Sequence, residues 1–126
     1  MKILTTIIMS AGVFWWVVSR PYAEEPTVVA SYYSYECAGK PTASGEIFDP
    51  EKLTAAMWGV PFGTLVRVQL GPATNTVTVR INDRGPAKHL NRKIDLSRRA
   101  FAQIADTDAG LINVKLTILS ENENRN

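Results

Sequence analysis

Apolar and polar residues alternate along three stretches of this 126-residue chain. In residues 64–70, Val66, Val68 and Leu70 fall on one face and Leu65, Arg67 and Gln69 on the other. In 76–82 the shared face holds Val77, Val79 and Ile81, and in 113–119 it holds Val114, Leu116 and Ile118. Successive side chains of a strand point to opposite faces, so each stretch predicts a half-buried strand. Residues 27–33 are rich in β-branched and aromatic residues and predict a fourth strand. Ile94-Asp95-Leu96 reads as a short extended piece. The period changes once. In residues 97–105, Ala100, Phe101 and Ile104 share a helical face behind Ser97, a residue suited to cap the first turn. Residues 53–58 are short and ambiguous.

Glycine and proline punctuate these elements. Residues 38–46 hold Gly39, Pro41 and Gly45, and further turns fall at Pro61-Phe62-Gly63, Gly71-Pro72 and Gly85-Pro86. Short strands, frequent turns and one small helix predict a compact, mainly β barrel rather than a βαβ sheet. The length allows one domain, and no repeat is present.

The N-terminus follows another pattern. Lys2 precedes an apolar run that ends at Val18, followed by Ser19-Arg20-Pro21-Tyr22-Ala23-Glu24. This reads as a secretory signal peptide cut after Ala23. The run is short of the roughly 20 residues that a membrane span needs; an uncleaved anchor is the alternative, and only then is the membrane a partner. The expected organisation is a signal segment over 1–23, a barrel over 27–119 and a polar tail over 120–126. The expected location is the periplasm or cell envelope.

Charge changes the picture little in total and more in distribution. The formal net charge is +2, and losing Lys2 and Arg20 with the signal brings it to zero. Arg80, Arg84, Lys88, Arg92, Lys93, Arg98 and Arg99 crowd one segment, against only Asp83 and Asp95. Such a face suits an anionic polymer, or is simply a solvated surface. Nucleic acid is not an expected partner of an exported chain. The single cysteine, Cys37, cannot form an internal disulfide and is expected as a small buried residue, with a free thiol as the alternative. No histidine or cysteine spacing suggests a metal, no glycine-rich phosphate loop precedes a helix, and the only histidine is His89. No metal or cofactor is implied. What remains is carboxylates in turn-rich places: Glu46 after Ser44-Gly45, and Asp83 before Arg84-Gly85-Pro86. A strand end entering a glycine turn can hold a side chain rigidly beside a groove. It can equally hold a structural aspartate that bonds to turn amides or pairs with an arginine.

Six pieces of the chain, taken together, resemble the rare lipoprotein A (RlpA-like) family. They are Ala30-Ser31-Tyr32-Tyr33, Thr42-Ala43-Ser44-Gly45-Glu46, Leu53-Thr54-Ala55-Ala56, Pro61-Phe62-Gly63-Thr64, Val79 through Pro86, and Ile94-Asp95-Leu96-Ser97. The resemblance implies a six-stranded double-psi β-barrel with one or two short helices. It implies a monomeric lytic transglycosylase that cuts peptidoglycan glycan strands, those lacking stem peptides, and leaves a 1,6-anhydro sugar end without any cofactor. The family's acidic pair falls on Glu46 and Asp83, with Asp83 as general acid/base and Glu46 as its partner. Arg84 or Arg80 would hold the geometry. Tyr33, Trp58 and Arg84 are the expected glycan-binding residues, and Phe62 is expected in the core. One position departs. The family reads Thr-Ala-Ala-His where this chain has Thr54-Ala55-Ala56-Met57. A thioether exchanges no proton, and losing a general acid/base costs on the order of 10²–10⁴ in rate. The resemblance therefore also admits an impaired, expansin-like module that binds or loosens the wall. His89 is expected as a surface loop residue.

Overall fold

The computed structural model describes residues 26–120; the predicted signal segment, and the polar tail beyond Ser120, lie outside the described residues. The alternating stretches form strands: β1 (Val28–Tyr32), β2 (Thr54–Met57), β3 (Leu65–Gln69), β4 (Thr76–Asp83), β5 (Ile94–Leu96) and β6 (Ile112–Ser120). They close into a barrel in the order β1-β5-β2-β4-β3-β6. Two pairs, β1 with β5 and β2 with β4, run parallel, and the others are antiparallel. This is the double-psi arrangement. β6 closes it by pairing its start with β1 and its later part with β3. Closure leaves no sheet edge open to another chain.

The predicted alternation accounts for the core. Val66, Val68, Val77, Val79 and Ile81 are all buried, and they meet Ala30, Ile94, Leu96 and Val114 from the other strands. In β6 the alternation holds only in part: Val114 is buried, whereas Ile118 lies beyond the core and is exposed. The ambiguous stretch 53–58 supplies β2. All four of its residues are buried, Ala55 and Met57 in the core and Thr54 and Ala56 outside it. Burial on both faces removes the alternation that marks a strand. The helix α1 (Arg98–Ile104) starts where Ser97 caps it, its hydroxyl accepting from the Ala100 amide at 3.3 Å. Ala100, Phe101 and Ile104 face inward, and the Phe101 ring meets Tyr32 at 4.7 Å. Truncating so buried a ring costs about 3–5 kcal/mol. Cys37 departs from expectation: it ends a one-turn 3₁₀ helix (Tyr35–Cys37) at the surface and is only half-buried, because no core strand covers that turn.

Candidate functional site

The site begins with an irregularity in β4. Thr54 and Ala55 of β2 pair with Arg80 and Ile81, but Ala56 pairs with Asp83, so Asn82 is an extra residue. A regular strand would send Asp83 to the same face as Val79 and Ile81. Bulges of this kind re-aim side chains, and here Asp83 is half-buried outside the core. Gly85, at φ 146°, turns the chain next, where a side chain would be strained. Three donors reach the Asp83 carboxyl: the Tyr33 hydroxyl at 2.6 Å, the Ala43 amide at 2.9 Å and the Arg84 amide at 2.8 Å. The Tyr33 ring stacks on Phe48 at 4.4 Å. Burial first, and then the Asp83 carboxyl it donates to, push the Tyr33 phenol far up, so it stays a donor.

The loop that carries Ala43 is strapped along β4. The Ser44 amide donates to the Asn82 carbonyl at 3.3 Å. The Arg80 guanidinium grips both Glu46 oxygens, at 2.5 and 2.8 Å. Within the loop, the Thr42 amide donates to the Glu46 carbonyl at 2.7 Å. Arg80 holds the Glu46 carboxyl below the usual carboxylate range. Glu46 is thus gripped through both oxygens and joined to Asp83 through the loop.

A carboxyl that sequence reasoning passed over lies on the other side. Ser31 pairs with Asp95, Asp95 with Ala56, and Ala56 with Asp83, which sets the four in a row across β1, β5, β2 and β4. The backbones of Asp95 and Asp83 are two strand spacings apart, about 10 Å. Ala56, which is buried, stands between them in the sheet. The Ser31 hydroxyl donates to Asp95 at 3.1 Å. Burial raises the Asp95 pKa, Ser31 and Arg92 oppose the rise, and the charge of Asp83 adds to it. The available signal was its place in Ile94-Asp95-Leu96-Ser97, a stretch read only as a short extended piece.

Arg84, Phe62 and Trp58 gather at the turn that follows Asp83. Arg84 donates to the Met57 carbonyl at 3.1 Å and lies over the Phe62 ring at 3.9 Å, so it braces the turn. Phe62, expected in the core, is 43% exposed as the partner of that cation; it follows Pro61 in a surface turn. Trp58 is 41% exposed, donates its indole N–H to the Pro86 carbonyl at 2.8 Å and has the Lys88 ammonium 4.8 Å from its ring. His89 is exposed in a 3₁₀ turn (Lys88–Leu90). Met57 is 5% exposed and its side chain belongs to the core. Among the described residues, no three histidine, cysteine, aspartate or glutamate side chains are grouped so as to hold a metal.

A closed double-psi barrel with carboxyl groups across its rim strands defines the class of protein. The family described as lytic transglycolase matches residues 25–116, and the chain belongs to it. A probable endolytic peptidoglycan transglycosylase RlpA of Treponema pallidum is 42% identical over 113 residues, covering 87% of this chain and 35% of that protein. The chain spans a quarter to about a third of the first curated relatives it matches. Among solved structures, a Streptomyces papain inhibitor superposes with a TM-score of 0.60 at 24% identity, covering 76% of this chain and 94% of the inhibitor. A Clavibacter michiganensis expansin in complex with cellohexaose superposes with a TM-score of 0.59 at 18% identity, covering 75% and 50%. An inhibitor and an expansin on one barrel show that the fold alone assigns no function.

Proposed function

We propose that the chain is a lytic transglycosylase that cuts peptidoglycan glycan strands lacking stem peptides and leaves a 1,6-anhydro sugar end. The observation that carries this reading is the carboxyl row: Asp83, held by three donors on a bulged strand end, beside half-buried Asp95. Asp83 is the general acid/base. As the glycosidic C–O bond breaks, its proton passes to the leaving oxygen, and positive charge develops on the sugar. The resulting carboxylate then takes the proton of the sugar's own 6-hydroxyl, and that oxygen closes the anhydro ring. No water is consumed. A second carboxyl in the row makes it costlier for both groups to be ionised at once, and Asp95 serves as that second group. Glu46 acts as partner to Asp83 by holding, with Arg80, the loop whose Ala43 amide donates to it. Tyr33 positions Asp83, Arg84 braces the turn, and Trp58 offers a ring edge to the glycan. The chain acts as an exported monomer in the cell envelope.

Met57 favours a second reading, a module that holds the glycan without cutting it, because a thioether cannot exchange a proton. Its burial in the core favours the first, since the substitution removes nothing from the carboxyl row. Incubation of the chain with stripped peptidoglycan, followed by mass spectrometry for anhydro-muropeptides, separates the two. Product supports the enzyme; persistent binding without product supports the module.

A further inference from the structure

A cleft of about 630 Å³ opens beside the carboxyl row. Ser31, Tyr35, Glu36, Arg92, Arg98 and Leu111 are among its lining residues. Its two arginines are half-buried, yet among the described residues the ion pairs within 4.0 Å are Arg80–Glu46 and Arg99–Glu51. Charge withdrawn from water without a close counter-ion is costly, and an arriving anion relieves that cost. Arg98 lies over the Tyr35 ring at 4.2 Å. A guanidinium resting on a ring keeps its in-plane N–H groups for another acceptor, and that planar fork matches a carboxylate. Arg92 is near enough for its charge to oppose the upward shift of Asp95. With Glu36 as the acidic group of the lining, two positive charges face one negative. Tyr35 and Leu111 are well exposed and supply apolar surface for a sugar face.

The cleft also lies at a useful distance. Ser31 lines it and is the far end of the row, three strand spacings or about 14 Å from Asp83. That separation sets the cleft against a sugar several residues along a bound strand, not against the bond being cut.

We infer that the cleft is a subsite for the free carboxylate of a muramic acid residue, the lactyl carboxylate exposed when the stem peptide is gone. The inference rests on the glycan reading above. In an intact strand this carboxyl is an amide: neutral, bulky and unable to pair with Arg92 and Arg98. Recognition of stripped strands is then recognition of charge.

The test uses the full chain carrying Asp83→Asn, so that binding is measured without turnover. Calorimetry compares stripped glycan strands with the same strands whose lactyl carboxylates have been converted to methylamides. Stripped strands are expected to bind about ten-fold tighter. Adding Arg92→Gln and Arg98→Gln should erase the difference, with the folded state checked by thermal melting. If that variant does not fold, Arg98→Lys, which keeps the charge and loses the fork, should reduce the preference to about three-fold. Equal affinity of the parent for both polymers, binding of neither, or a full preference in the folded variants overturns the subsite. The enzyme reading fails separately, on absence of anhydro product from the chain with Asp83 intact.

Discussion

Asp83 is approached by two carboxyl groups prepared in opposite ways. Glu46 reaches it through a loop, and its charge is satisfied by the two-pronged grip of Arg80. Asp95 reaches it through the sheet, is half-buried, and has its pKa raised by that burial and by the charge of Asp83. An ion pair holds a segment in place; burial makes a carboxyl costlier to ionise. One rim of one barrel therefore favours the charge of one group and disfavours that of the other, although both are acids of similar intrinsic strength.

The comparison can be broken at its centre first. Asp83→Asn keeps the shape and should lower release of anhydro-muropeptides by about 10³-fold. Asp95→Asn should lower release of anhydro-muropeptides by about 10²-fold, since the second carboxyl of the row is gone. Undiminished release would remove Asp95 from the reaction. The stability sign is also set. The folded Asp95 pKa lies above its ordinary value of 3.8, so the native state binds the extra proton, and the stability this contributes is lost as pH rises through the folded value. Denaturant melts of Asp95→Asn should thus show a gain over the parent at neutral pH and none well below pH 3.8.

Met57→His places a polar ring in the apolar core and should lower stability by about 1–3 kcal/mol with no gain in rate. A rise in rate of about ten-fold or more would mean that position 57 does reach the site. Glu46→Gln is the mildest change. The Arg80–Glu46 pair is partly exposed and worth about 1 kcal/mol or less. Because the Glu46 pKa is lowered from 4.5, that contribution is present above this value and is lost as pH falls through the folded one. Melts across acid pH check it.

Much of this architecture is written in local pattern. The β3 and β4 alternation and the Ser97 cap specify two strands and a helix without reference to partners. β2 was illegible because its neighbours cover both faces, and no local period reports that. The same holds for the site. Asp83 was visible at a strand end before Gly85-Pro86, whereas its neighbour Asp95 depends on β5 lying between β1 and β2, a pairing between residues more than 60 positions apart. Phe62 looked like core because an aromatic in a turn carries no sign that Arg84 will cover it at the surface.

In the proposed reaction Asp83 exchanges a proton with the glycan, and the sugar's own hydroxyl, not water, completes it. The most direct measurement is digestion of stripped glycan strands in heavy-oxygen water by the parent chain and by Asp83→Asn, with mass spectrometry of the new ends. Anhydro ends without heavy oxygen are expected from the parent and none from the variant. Ends that carry heavy oxygen, or undiminished product from Asp83→Asn, would contradict it.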